Sequence, residues 1–365
     1  MRTASALTLI LMAGLPFSCR IPQAVTATPS ETLQSVSPFP VGVAVGSDLL
    51  EKDSAYREIV LREYGSVTPE NEAKIECLHP REREFDFLAF DRILDFAGAH
   101  GKRVHGVALI WHDTSGLVWL RDFRADAAAW ERMFKAHIQA VVRHAKGKVK
   151  SWDVVNEALN DDGTLRMDDE TATDHLGSIW AKHLGRDYIA RAFRYAHQAD
   201  PAALLFYNDF ELYDPRKPKK LEAVIAMVED FKDRGIPIHG LGVQMHIGLS
   251  ADDAGIADAL RRLADTGLMI HISELDILVS DWKNDAALIN SDELQRRQAD
   301  KYRSVALAYK RAVPPRQRYG ITVWGVGDAH SWIRGNFGLK DWPLPFDENY
   351  RKKKAYEGFL EGLRR

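Results

Sequence analysis

From residue 40 onward the sequence alternates short apolar, β-branched runs with longer segments that repeat apolar residues every three or four positions, and it does so eight times. The spacing predicts strands at Val41 to Val45, Tyr64 to Thr68, Arg103 to Trp111, Val149 to Glu157, Leu204 to Asp209, Leu241 to His246, Met269 to Leu275 and Gly320 to Trp324. Most are nearly continuously hydrophobic, as strands covered on both faces must be. Helices are predicted over Ser54 to Arg62, Phe87 to His100, Ala128 to His144, Ile179 to Gln198, Lys220 to Asp233, Ala254 to Thr266, Ser291 to Ala312 and Lys354 to Leu363. Such alternation implies parallel pairing through right-handed crossovers. Eight units point to an α/β fold closed as a (β/α)8 TIM barrel. An open dinucleotide-binding sheet would carry a Gly-rich loop after its first strand, and Gly42, Gly46 and Gly65 do not make GxGxxG.

At roughly 150 residues per domain, 365 residues suggest two or three domains, but barrels of this class exceed about 250 residues as one unit. No linker or internal repeat divides residues 40–365, which are read as one catalytic domain. With 49 Lys and Arg against 52 Asp and Glu, the net charge is −3 and no half of the chain resembles a phosphate-binding surface, so nucleic acid is not an expected partner. Residues 1–27 read as an export signal: Met1-Arg2 precede a 12-residue apolar run from Ala6 to Phe17, too short to span a bilayer, which takes about 20 residues. Two exits are open: cleavage near Val25-Thr26-Ala27 for release, or lipidation at Cys19, where Pro16 stands in place of the usual Leu. Residues 28–39 are polar and read as a tether. The expected location is outside the cytoplasm, secreted, periplasmic or anchored to the envelope by lipid. The other cysteine is Cys77, so stability must come from the core.

In such barrels reactive groups gather at the carboxyl ends of the strands. That rim receives Glu70, Asn71 and Lys74 after the second strand, Trp111 and His112 after the third, and Asn156-Glu157 at the fourth. Asn208-Asp209, Gln244 and His246, Glu274 and Asp276, and Trp324 follow in turn. A single carboxylate here is equally well read as a structural ion pair. Two, among Trp, His, Asn and Gln and without clustered metal ligands, are what glycosidic cleavage requires. Glu274, beside Asp276 on the same strand face and near His246, is read as the nucleophile held ionised. Glu157, after an apolar strand and beside Asn156, is read as the acid/base whose carboxyl an uncharged environment raises. Sugars offer apolar faces to indoles, and Trp111, Trp324 and Trp332 answer that need, although any one Trp is more commonly core packing.

These residues resemble glycoside hydrolase family 10, the retaining endo-1,4-β-xylanases, from about Val41 to Tyr356. The likeness rests on Thr68-Pro69-Glu70-Asn71-Glu72-Ala73-Lys74, Trp111-His112, Trp152-Asp153-Val154-Val155-Asn156-Glu157-Ala158 and Tyr207-Asn208-Asp209. Gln244-Met245-His246, Ser273-Glu274-Leu275-Asp276, Thr322-Val323-Trp324-Gly325-Val326 and Pro345-Phe346-Asp347 complete it. The resemblance implies the same roles for Glu157 and Glu274, with Asn156, His246 and Asp276 in support and Gln244 beside them. It also implies sugar contacts from Glu70, Asn71, Lys74, Trp111, Asn208, Gln244, Trp324 and Trp332. It implies neither metal nor organic cofactor; the partner is a plant cell-wall polysaccharide or oligosaccharide, and the chain is expected to act as a monomer.

Three positions depart from the family pattern. Val107 stands for a sugar-site His, Thr114 for a sugar-binding Gln, and Met245 for a smaller residue. The reacting-sugar site is therefore expected to be altered, favouring a bulkier or less polar substrate than plain xylan. Alternatives are a related retaining glycosidase on decorated xylan, aryl β-glycosides or β-glucan, and a binding protein without turnover, against which the intact Glu157 and Glu274 argue. A metal-dependent hydrolase would need a His-x-His pair after its first strand, which none of the 13 histidines makes.

Overall fold

The structure, a computed structural model, describes residues 31–167 and 177–364. Eight strands form the barrel: β1 (Val41–Val45), β2 (Ser66–Pro69), β3 (Arg103–Gly106), β4 (Ser151–Asn156), β5 (Leu204–Phe210), β6 (Gly240–Gln244), β7 (Met269–Leu278) and β8 (Arg318–Val323). Each pairs in parallel with the next, and β8 pairs with β7 on one side and β1 on the other, so the sheet closes as expected into a (β/α)8 barrel. Every residue of β1, β2, β4 and β6 is buried, which explains the unbroken apolar runs.

The crossover helices are Ser54–Glu63, Leu88–Ala99, Ala127–His144, Tyr188–Ala199, Pro218–Asp233, Asp253–Asp265, Asp292–Ala312 and Lys354–Arg364. Side-chain caps start several of them: Asp53 accepts from Tyr56 N, Asp126 from Ala129 N and Ser291 from Leu294 N. The helix expected over Ile179 to Gln198 is divided, with Ile179–Leu184 ending at Gly185, whose φ of 70° breaks the helical path. Among the described residues no helix is long and apolar enough to cross a membrane.

Two expected strands are interrupted at the rim formed by the carboxyl ends of the strands. β3 stops at Gly106, and pairing with β4 resumes only at Ile110–Trp111, opposite Val155 and Asn156. Likewise β6 ends at Gln244, and His246–Gly248 pairs instead with Asp276–Leu278 of β7.

The export signal lies outside the described residues, and so do residues 28–30 of the expected tether. The rest of that tether is corrected. A compact unit begins at Thr32, which caps the short helix Leu33–Val36. Leu33 and Phe39 are buried, Leu33 N donates to Glu63 Oε2 at 3.1 Å, and the Phe39 ring meets Tyr309 edge-on at 5.0 Å. Two apolar anchors suffice to dock a polar segment, although they are too few to stand out in its composition.

Candidate active site

Glu157 follows directly on β4 with φ at 53°, a left-handed backbone uncommon outside glycine. Hydrogen bonds hold the peptide groups on both sides of it. Glu157 N donates to Asn208 O at 2.9 Å, Arg166 Nε donates to Glu157 O at 2.9 Å, and Ala158 N donates to Tyr207 Oη at 3.1 Å. The Tyr207 hydroxyl donates in turn to Asp209 at 2.6 Å, and Asp209 is paired with the buried Lys220 at 2.8 Å.

The buried carboxylate of Glu157 is walled by donors from three other places in the chain. Oε2 accepts from Trp111 Nε1 at 2.9 Å, and Oε1 accepts from Asn156 Nδ2 and Gln244 Nε2, each at 2.9 Å. His112 Nδ1 lies 3.7 Å from Oε2. Glu274, on β7, accepts from Asn208 Nδ2 at 2.7 Å on Oε1 and faces His246 Nε2 at 3.1 Å on Oε2. The other ring nitrogen of His246 faces Asp276 at 2.9 Å, and Asp276 also accepts from Trp332 Nε1 at 2.7 Å. One amide spans the two halves: Asn208 Nδ2 reaches Asn156 Oδ1 at 2.9 Å as well as Glu274, while its own oxygen accepts from Ser273 at 2.7 Å.

These neighbours set the proton affinities. Burial works against charge on His246, but Asp276 and Glu274 outweigh it and push the imidazole up to about 10, so both ring nitrogens carry protons at neutral pH. Burial raises Glu274, with Glu157 adding to the rise and His246 and Asn208 opposing it. Burial also pushes Glu157 up, yet His112, Gln244, Trp111 and Arg166 together hold it below the usual carboxyl range. The expected ordering, Glu157 raised and Glu274 lowered, is thus reversed in the free site. The physical reason is tertiary: no local pattern announces three N–H donors and an imidazole converging on Glu157.

On the flank formed after β2, Lys74 Nζ donates to Asn71 Oδ1 at 3.0 Å and stands 5.1 Å over the Trp111 ring. Half-buried Glu70 lies within the same field, where burial pushes it up to about 7 against the pull of Lys74, helped by Glu72, Glu274 and Asp276. Ala44, Val107, Ala108 and Trp324 form an apolar cluster on which Trp332 packs. Asn156, Glu157, Trp111, Gln244, Asn208, Glu274, His246, Asp276 and Trp332 therefore share one hydrogen-bonded network, with Trp324 joined by packing. Tyr207 and Ser273 belong to this site and stood inside motifs already quoted, where they passed as strand residues. Arg166 comes from a loop with no sequence signal.

Residues 31–362 match the family model described as Glycosyl hydrolase family 10. Endo-1,4-beta-xylanase B of Paenibacillus barcinonensis is 35% identical over 345 residues, covering 91% of this chain and 97% of that protein. The endo-1,4-beta-xylanase of Geobacillus stearothermophilus is 37% identical over 330 residues, covering 87% and 94%. Native xylanase 10C from Cellvibrio japonicus superposes with a TM-score of 0.84 at 33% identity, over 93% of this chain and 75% of that one. Xylanase 10B from Thermotoga petrophila, in complex with xylobiose, gives 0.82 at 31% identity, over 92% and 98%. By family model, sequence and fold together, the chain belongs to glycosyl hydrolase family 10.

Proposed function

We propose that the chain is an endo-β-1,4-xylanase working by double displacement with retention, with Glu274 as nucleophile and Glu157 as acid/base. The observation that carries this reading is the pair of buried carboxylates, one just after β4 and one on β7, each held by its own donors and both linked through Asn208. Glu274 attacks the anomeric carbon while Glu157 gives its proton to the departing glycosidic oxygen. A glycosyl ester forms on Glu274; Glu157 then takes a proton from water, whose oxygen attacks the same carbon and frees the carboxylate. The protonated His246, steadied by Asp276, supports Glu274 in its charged form.

Burial keeps His112 below its usual range. Burial is also the influence on Glu157 that favours the protonated donor, and it works against His112, Gln244, Trp111 and Arg166. Once the ester has neutralised Glu274, Glu157 loses a like-charged neighbour and its proton affinity falls, as a base in the second step requires. Asn156 binds the reacting sugar, Trp111, Trp324 and Trp332 wall it, and Glu70, Asn71 and Lys74 hold sugars on the non-reducing side. The relatives' names as endo-1,4-beta-xylanases, and the xylobiose in the Thermotoga structure, support xylan as the polymer.

The finer substrate reading concerns the reacting-sugar seat. Val107 lies in an apolar cluster, and neither it nor Ala108 offers a side-chain hydrogen bond to a sugar hydroxyl. We read this seat, with Thr114 and Met245, as altered toward a bulkier or less polar unit, such as one in decorated xylan. Export, with release or lipidation at Cys19, action on plant cell-wall polysaccharide and a monomeric state complete the proposal. Glu274→Ala is expected to abolish turnover on every substrate, whereas Glu157→Ala retains first-step cleavage of activated aryl glycosides, which need no proton. Burst kinetics and product stereochemistry read both; two variants that behave alike on the aryl substrate overturn the roles, and cleavage of glucan but not xylan overturns the polymer.

A further inference from the structure

Trp332 faces two ways. On its inner side it packs with Ala44, Val107, Ala108 and Trp324, and its N–H is bound by Asp276. On its outer side it meets two rings that no role above uses. Trp282 lies at 6.1 Å and 68°, Phe337 at 5.3 Å and 71°, and these two meet each other at 5.7 Å and 86°. Both are open to water, Trp282 at 40% and Phe337 at 54% relative exposure. Adjoining exposed rings are a poor use of apolar surface unless something binds there.

The backbone sharpens the point. Asp281 and Trp282 have φ of 51° and 65°, and a bulky aromatic residue in the left-handed region is an outlier from which function is fairly inferred. The segment is not a loose tip. The carboxylate of Asp341 accepts from Val279 N at 3.0 Å and Ser280 N at 2.9 Å, and Asp281 Oδ1 accepts from Ser250 N at 2.8 Å. Gly248 allows the close approach of Asp281, since a Cβ there would lie 2.1 Å from Asp281 Oδ1. A firmly held loop thus keeps an indole in an unfavourable conformation, exposed, and one ring away from the residues that position Glu274.

We propose that Trp282, with Phe337 as its lip, is an additional sugar-stacking subsite continuous with the reacting-sugar seat. It takes the apolar face of a pyranose of the same bound chain, beyond the unit being cleaved. A protein partner fits less well, because the patch is two rings wide and runs into the cleft through Trp332. The inference rests on the reading of the chain as an endo-acting glycosidase. Sugar C–H faces and indoles associate through dispersion and hydrophobic contact, and a pre-positioned ring loses little freedom on binding.

The test compares Trp282→Asn and Trp282→Phe with wild type on xylohexaose and on an aryl xylobioside, together with thermal unfolding. Asn removes the ring and tolerates the left-handed backbone; Phe keeps a smaller stacking face. For Trp282→Asn, kcat/KM on xylohexaose falls by about tenfold or more, mostly through KM, and by less than about twofold on the short substrate. The unfolding midpoint holds or rises, and Trp282→Phe recovers much of the loss. Equal kinetics at both lengths, or a lowered midpoint with matching losses on both substrates, makes the indole a packing residue and overturns the subsite alone. Wild type that releases no product from xylohexaose overturns the xylanase reading, and the subsite with it.

Discussion

We propose that at Val107 one side chain sets how polar the seat of the reacting sugar is. It is 2% exposed and surrounded by Ala44, Ala108 and Trp324. Val107→His brings two ring nitrogens into that wall, and in the free protein they lack partners, at a cost of about 1–3 kcal/mol in stability. A bound sugar hydroxyl supplies a partner, so kcat/KM on undecorated xylo-oligosaccharides is expected to rise while urea unfolding shifts to lower concentration. An unchanged preference between plain and decorated chains would remove Val107 from the specificity argument. At this scale most members of the hydrogen-bonded network around Glu157 and Glu274 are legible in the sequence, because they stand at or just beyond the end of an apolar run. The proton ordering of Glu157 and Glu274 is not legible, since Trp111, His112 and Gln244 reach Glu157 from separate strands.

Among the elements, the junction of β4 and β5 carries the most exact geometry. The left-handed turn at Glu157 is fixed partly by Tyr207, whose hydroxyl joins Ala158 N to Asp209. Tyr207→Phe leaves that N–H and carboxylate short of a partner, and about 1–3 kcal/mol of stability is expected to go. Kinetics distinguish positioning from bulk stability. If the turn aims the proton donor, kcat on xylan falls more than kcat on an activated aryl glycoside, which does not need the proton. Equal losses on both would confine Tyr207 to the fold. Apolar periodicity located every barrel strand, with β1 matching residue for residue, β3, β5 and β7 starting where expected, and the remaining ends shifted by one to five positions. It did not reveal the gap at 107–109, the transfer of His246–Gly248 to β7 or the break at Gly185, because each depends on backbone turns that leave apolar spacing unchanged.

Over the whole molecule, the ring of helices is tied to the segment before β1. Buried Glu63 accepts from Leu33 N at 3.1 Å, Arg62 Nε at 2.9 Å and Tyr356 Oη at 2.9 Å, joining the short helix Leu33–Val36, the first crossover helix and the last. A chain beginning at Pro40 is therefore expected to be less stable than one beginning at Thr32, by roughly 1.5–3 kcal/mol for each of Leu33 and Phe39 no longer buried. Urea unfolding of the two chains measures it, and equal midpoints would return residues 32–39 to the status of a tether. Closure itself was legible from eight repeats of one pattern. The amide of Asn208 has a consequence on this scale. A barrel that flexes as a ring shifts its staves by unequal amounts, and two acids on different staves would drift apart. Because a single β5 side chain grips Glu274 and also Asn156, the neighbour of Glu157, such motion moves both as common cargo. The gap across which a sugar must fit is thereby insulated from thermal distortion of the frame.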